Sequence, residues 1–309
     1  MKSGEAREPT TGGDERRRTY LDLLSDVIYE TESFFHEEGF LQLLPVMLGR
    51  STDPLGPDPG SSVVKTVEID YLGQRFYLMN SMILHKQLAV RDLGRIWILS
   101  PNVRLERPER AASGKHLFEF TQADFEIPNA AGDEVRALVE RFFARLGARL
   151  RGHPAFPSLG VPPPSFSPPW ATYTTHELEE RYGPSWEEPA SRAERQPFWV
   201  TCHRREFYDR EDPERPGHYR NYDLVYPAGF GEALSGAERE WDPARIRNRI
   251  GRDGIPPAAY EAYLEQADHL VPSAGAGFGI ERLVRFLVRA PHVGDVQLFR
   301  RVPGETPSL

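Results

Sequence analysis

Apolar residues recur at three- and four-residue steps from Tyr20 onward, as Leu21, Leu24, Val27 and Ile28, with Phe34 and Phe35 near the end. This spacing predicts a long amphipathic helix that stops at Gly39 and gives way to a short extended run from Phe40 to Pro45. Residues 51–62 are rich in Pro, Gly, Asp and Ser and predict a loop. Strands are expected at Val63–Tyr71, Arg75–Met79 and Arg95–Leu99. Val135, Leu138, Val139, Phe142, Phe143, Leu146 and Leu150 then trace one apolar stripe, a core-facing helix. A second helical face, Ile280, Leu283, Val284, Leu287 and Val288, follows the glycine-rich run Gly275–Gly279. Strands and helices alternate irregularly, without repeated βαβ units. That favours an α+β fold, an antiparallel sheet flanked by helices.

Pro162, Pro163, Pro164, Pro168 and Pro169 cluster between His153 and Trp170. Polar motifs lie on both sides of this cluster and must converge, so it is read as a stiff surface loop and not a domain linker. Residues 1–18 lack apolar periodicity and are expected to form a disordered tail, leaving residues 19–309 as one catalytic-sized domain.

Composition narrows the function. Lys plus Arg number 38 and Asp plus Glu 46, a formal charge of −8, which argues against a protein built mainly to grip nucleic acid. The single cysteine, Cys202, excludes an internal disulfide and a multi-cysteine zinc site; it is expected to be a small buried filler. His85, His176, His203 and His218 show no metal-ligand spacing and are expected to be structural or surface groups. No stretch approaches the roughly 18 apolar residues that span a bilayer, and the polar start is no secretory signal. A cytoplasmic location and no membrane partner are the expectation.

Three clusters carry candidate chemistry. In the first, Arg104-Leu105-Glu106 and His116-Leu117-Phe118-Glu119-Phe120 flank a polar loop. Period two then places Phe118, Phe120, Gln122, Asp124 and Glu126 on one strand face, with Thr121, Ala123, Phe125 and Ile127 on the other. The polar face is either a ligand floor, with Arg104 clamping a phosphate, or a solvated hairpin. In the second, Gly275-Ala276-Gly277-Phe278-Gly279-Ile280-Glu281-Arg282 matches neither the dinucleotide nor the phosphate-loop fingerprint. Arg282 in the first turn of a helix suits an anion bound there; close strand packing explains the glycines equally well. The third joins Asp223 and Glu232, two carboxylates flanking a turn that can share magnesium, to Arg239, which can reach a substrate carboxylate.

Taken in order, these clusters resemble the catalytic core of class II aminoacyl-tRNA synthetases, aspartyl/asparaginyl branch. Gly39-Phe40 through Pro45 resembles the family's first motif, at its dimer interface. Arg104-x-Glu106 with His116-x-x-Glu119-Phe120 resembles the second, and Gly277-x-Gly279-x-Glu281-Arg282 the third. The resemblance implies that Arg104 and Arg282 are catalytic and bind the α- and γ-phosphates of ATP. It implies that Glu106, His116, Phe120 and Glu232 help seat the nucleotide, and that Asp223 and Glu232 hold Mg2+. Ser81, Lys86, Gln122 and Arg239 would bind an aspartate-like amino acid. Ile83, Lys115 and Gly294 depart from the branch's glutamine and two arginines.

The family's anticodon-binding domain does not fit into eighteen leading residues. With Thr52-Asp53-Pro54-Leu55 and Ser81–Gln87, this makes the sequence resemble most the stand-alone, archaeal-type AMP-forming asparagine synthetases. The expectation is therefore an ATP-dependent amide synthetase, homodimeric, that adenylates the β-carboxylate of aspartate and passes it to ammonia, with tRNA an unlikely partner. The alternatives are a truncated synthetase paralogue that aminoacylates tRNA or another amine acceptor, and a non-catalytic regulatory paralogue.

Overall fold

The computed structural model describes residues 11–55 and 63–307. Helix α1 (Thr11–Glu37) begins inside the stretch expected to be a tail. Arg16 Nε donates to the Tyr20 hydroxyl at 2.7 Å and Arg18 Nε to the Asp22 carboxylate at 2.8 Å. Such i,i+4 pairs extend a helix beyond its apolar stripe. Residues 1–10 lie outside the described residues. Gly39 follows the helix at φ +78°, a left-handed conformation that glycine adopts without a Cβ clash.

Eight strands make the main sheet: β1 (Leu41–Leu43), β2 (Ile96–Val103), β3 (Glu119–Pro128), β4 (Thr172–Thr174), β5 (Phe198–Thr201), β6 (Asn221–Tyr226), β7 (Gly231–Glu238) and β8 (Ser273–Gly279). Their order is β1-β2-β3-β8-β7-β6-β5-β4. The outermost pairs, β1 with β2 and β4 with β5, are parallel; the pairings between them are antiparallel. The extended run expected over Val63–Tyr71 divides at Thr66 and Val67 into Val63–Lys65 and Glu68–Tyr71, which join two small separate sheets.

Four further helices position the site: α2 (Ile83–Leu93), α3 (Gly132–Leu150), α4 (Thr175–Tyr182) and α5 (Ile280–Val288). The two-residue period of the strands gives the sheet two chemically distinct faces. Trp97, Phe125, Ile127, Tyr222, Leu224 and Phe278 point to one face, where α1, α3 and α5 close over them in a single core. Phe35 stacks on Trp97 at 5.1 Å, and Phe142 meets Phe278 at 5.1 Å. Phe166, from the proline-rich segment, packs edge-on against Phe143 at 5.1 Å, so that segment is a loop folded onto the domain. The opposite face carries Gln122, Asp124 and Glu126. It is roofed by α2, the 203–220 segment and helix Pro243–Arg252, whose Ile83, Leu84, Phe207, Ile246 and Ile250 form a second core. Among the described residues no helix is long and apolar enough to cross a membrane.

Candidate active site

Three recesses of about 50, 120 and 790 Å3 open on the polar face, and Arg104 and Glu232 line all three. The smallest is lined by Glu106, His116, Phe120, Gln122, Glu281 and Arg282. Arg104 lies 5.2 Å from the Phe120 ring centre, and its Nε donates to the Asn80 carbonyl at 3.0 Å. Arg282 donates from NH1 to Glu232 Oε1 and from Nε to the Lys115 carbonyl, both at 3.1 Å. Both guanidinium groups are thus held in place at the cavity wall, a cationic pair ready for a polyanion.

The neighbouring titratable groups are tuned by this field. Burial, reinforced by Arg282 and Arg110, pushes the His116 imidazole down to about 3, so it is neutral at physiological pH. Burial pulls the Glu232 carboxyl upward, but Arg282, Arg205 and Arg104 outweigh it and hold the group at about 2. Glu281 is the converse case. Burial raises it to about 7 even though both its oxygens accept from the Thr121 amide at 3.1 Å.

A β-bulge explains how Glu232 comes to face the site. Leu224 pairs with Leu234 but Val225 pairs with Glu232, so Ala233 is an extra residue in β7. Without it Glu232 would share the core face with Leu234. With it Glu232 turns to the face of Ser235 and Asp223, which pair across β6 and β7. Asp223 and Glu232 both line the largest recess. Arg205 hydrogen-bonds Asp223, and His203 Nε2 lies 3.3 Å from it. Two carboxylates on one face, one of them firmly ionised, are hard oxygen donors of the kind that magnesium takes.

The middle recess is lined by Ser81, Lys86, Gln122 and Arg239, the predicted amino-acid binders, with Asp53, Asp124 and Asp209 among its other walls. Lys86 Nζ reaches Asp124 Oδ1 at 2.9 Å and Glu126 Oε2 at 3.7 Å. Arg239 bridges Glu126 at 3.0 Å and Asp209 at 3.1 Å. Cations and carboxylates therefore alternate along a buried row, each charge compensated by its neighbours. Gly277 and Gly275 make room for it. A Cβ at 277 would lie 2.3 Å from Asp124 Oδ1, and one at 275 would lie 2.1 Å from Glu126 Oε2. Close packing is thus the reason for these two glycines, while Arg282 faces the cavity.

All the predicted site residues converge on these recesses. The sequence reading missed Asp53, Arg205, Tyr208 and Asp209 as site walls. Tyr208 donates to Asp53 Oδ1 at 3.0 Å, and Asn221 Nδ2 donates to Asp209 at 3.0 Å. These lie on segments without periodicity. Asp124 and Glu126 did carry a signal, since they share a face with Gln122. The three departures are accommodated: Ile83 is buried with Phe207, Lys115 pairs with Glu187 at 2.9 Å, and a Cβ at Gly294 would lie 2.6 Å from Val302. The histidines are not all isolated. His176 and His218 meet at Cys202, a convergence hidden by their separation along the chain.

A mixed sheet with helices on one face and arginines, carboxylates and a cation–carboxylate row on the other defines a class II synthetase-type catalytic core. Residues 12–303 match the family of class II tRNA synthetases (D, K and N), and the chain belongs to that family. It is 24% identical to the asparagine–tRNA ligase of Thermoplasma acidophilum, over 89% of this chain and 67% of that protein. It is 27% identical to that of Thermococcus gammatolerans, over 86% of this chain and 65% of that protein. Across such relatives it spans from 59% to 68% of their length. In fold it resembles the asparaginyl-tRNA synthetase of Pyrococcus horikoshii complexed with asparaginyl-adenylate, with a TM-score of 0.81 at 23% identity, covering 94% of this chain and 70% of that one.

These matches correct three expectations. The likeness to stand-alone asparagine synthetases gives way to asparagine–tRNA ligases, which align over most of the chain. With it goes the amide synthetase that uses ammonia. The exclusion of tRNA goes too. It rested on net charge, which says nothing of a local surface, and on the anticodon-binding domain expected to be missing ahead of the core; matches to asparagine–tRNA ligases over most of the chain overturn it.

Proposed function

We propose that this chain activates asparagine with ATP and esterifies the product to tRNA. The observation that carries the reading is that Arg104 and Glu232 line all three recesses, so the anion site walled by Arg104 and Arg282 adjoins the recess walled by Lys86 and Arg239. The α-carboxylate of the amino acid attacks the α-phosphorus of ATP, and pyrophosphate leaves. Arg104, fixed by Asn80 and Phe120, stabilises charge at the α-phosphate, and Arg282 holds the departing end. Losing one such preorganised donor costs about 3–4 kcal/mol of barrier. Mg2+, held by Asp223 and Glu232, would neutralise phosphate charge. A ribose hydroxyl of tRNA then displaces AMP across the widest recess.

Asparagine is favoured over aspartate by the charge of the inner recess. Lys86, Arg104, Arg205 and Arg239 face Asp53, Asp124, Glu206, Asp209 and Glu232 there. A second substrate carboxylate would compete with these acids for the same cations, whereas an amide also donates to the acids. The names of the relatives point the same way. We further propose a homodimer through the first motif, where Leu44 is 91% exposed beside Leu41, Met47 and Leu48.

Amino-acid-dependent exchange of pyrophosphate into ATP, followed by acid-precipitable charging of tRNA, tests the reading. Exchange with asparagine and a tRNA ester are expected. Exchange with aspartate alone overturns the substrate, and exchange without an ester overturns the acceptor.

A further inference from the structure

His176, Cys202 and His218 come from three separate segments: the first turn of α4, the residue after β5, and the approach to β6. Cys202 Sγ lies 3.2 Å from His218 Nδ1 and 3.7 Å from His176 Nε2. The three donor atoms all fall within 4.8 Å of one another. Zinc bonds of ~2.3 Å to sulfur and ~2.0–2.1 Å to nitrogen, arranged tetrahedrally, separate S from N by about 3.5 Å. The two observed separations bracket that value. A thiol with two imidazoles is a borderline-soft donor set, unlike the all-oxygen Asp223 and Glu232.

The backbone around the thiol is built to hold it. Cys202 adopts φ +70°, uncommon for a residue with a side chain and costing about 1 kcal/mol or more. It is over-determined by its surroundings. Thr175 Oγ1 donates to the Cys202 carbonyl at 2.9 Å. The His203 amide donates to Asn221 Oδ1, and Asn221 Nδ2 donates back to the His203 carbonyl, both at 2.9 Å. His176 is fixed by the reciprocal cap of α4, in which Thr174 accepts from the Glu177 amide at 3.1 Å and donates its own amide back to Glu177. Cys202 itself is buried, while His176 is exposed and its ring already lies against the Cys202 thiol and the His218 ring at the rim of the cluster. His176, Cys202 and Glu179, one helical turn beyond His176, all line the largest recess, which leaves a fourth position for water or that carboxylate.

We propose that His176, Cys202 and His218 bind one zinc ion. The metal ties α4 to both ends of segment 202–220, whose Arg205, Tyr208 and Asp209 wall the amino-acid recess. It is a brace for that wall, separate from the magnesium pair.

The test uses the full chain, reduced and stripped of metal, titrated with cobalt(II) in excess magnesium so that oxygen sites are filled. One equivalent should bind with the thiolate-to-cobalt charge-transfer band and the intense visible bands of four-coordinate cobalt, and zinc should bleach both. Cys202→Ser should abolish the charge-transfer band, and His176→Gln and His218→Gln should each weaken binding about 100-fold or more. His176 is exposed, so its variant tests the site without disturbing the core. Zinc should also raise the unfolding temperature of the parent and not of His176→Gln. Absence of the band at millimolar cobalt, or its survival at unchanged affinity in both histidine variants, overturns the site. An equal rise in unfolding temperature in parent and His176→Gln overturns the brace.

Discussion

Lys86→Met isolates the charge row from everything else in the site. The Lys86 side chain is 2% exposed and its ammonium contacts Asp124 at 2.9 Å, Glu126 at 3.7 Å, and the carbonyls of Phe125 and Ala276 at 3.4 Å. Methionine keeps most of the apolar stem, so the loss is confined to the charge. Glu126 retains Arg239 at 3.0 Å; Asp124, 4% exposed, loses its ion-pair partner. Removing one member of a buried pair costs about 3–5 kcal/mol. Because the stem is preserved, the lower half of that range is expected. Asp124→Asn relieves the stranded charge. The double variant should therefore recover much of the loss, giving a coupling energy of about 2–3 kcal/mol. Urea unfolding of the parent, both single variants and the double variant measures all four corners of the cycle. A loss below about 1 kcal/mol in Lys86→Met, or additive losses in the double variant, would falsify the view that these charges hold each other in place.

Gly277→Ala brings a methyl group to 2.3 Å from Asp124 Oδ1; it should cost about 1–3 kcal/mol and raise the KM for the amino acid about tenfold or more, at ~1.4 kcal/mol per tenfold. The control is Gly251→Ala, where an added Cβ meets nothing within 4 Å; unchanged KM values in both variants would dismiss the steric argument. Burial holds Glu281 at about 7 in the folded chain, against an ordinary 4.5. The folded state therefore keeps a proton that the unfolded chain gives up, and stability should fall by about 3 kcal/mol as pH rises from 4.5 through 7. Glu281→Gln should flatten that slope in unfolding measured at intervals from pH 4 to 8, and an unaltered slope would assign it to other groups. Leu44→Asp, at a 91% exposed position, should shift the chain toward monomer in sedimentation while the far-ultraviolet dichroism stays that of the folded parent; an unmoved sedimentation coefficient would place the dimer contact elsewhere.

Much of this architecture was legible where burial imposes a period. The stripe from Val135 to Leu150 is the core face of α3. The alternation along 118–127 separated Ala123, Phe125 and Ile127, which enter the core, from Gln122, Asp124 and Glu126 on the other face, while Thr121, expected with the first set, is half-buried and donates its amide to Glu281. The polar residues that roof the site were not legible for a physical reason. Asp53, Arg205 and Asp209 lie on irregular segments, where side-chain direction is set by tertiary hydrogen bonds and not by a repeating backbone. Glu232 shows the limit within a strand. A strict two-residue period would bury it beside Leu234, and only the extra residue at Ala233 turns it outward. The start of α1 failed in the opposite sense, because charged i,i+4 pairs lengthen a helix without leaving an apolar mark.

The same buried row also explains why the site tolerates so many ionised groups at close quarters. Isolated, any one of Lys86, Asp124, Glu126, Asp209 or Arg239 would be costly to bury. Placed alternately, each contacts at least one opposite charge, and the glycines of β8 let the strands approach closely enough for the contacts to be direct. Substrate binding then exchanges one polar partner for another inside a field already fixed, so little reorganisation is left for the moment of reaction. A row held only by mutual compensation has a further consequence. A single substitution along it leaves a buried charge unpaired, so a change of amino-acid preference at this site is expected to need a paired change of cation and carboxylate.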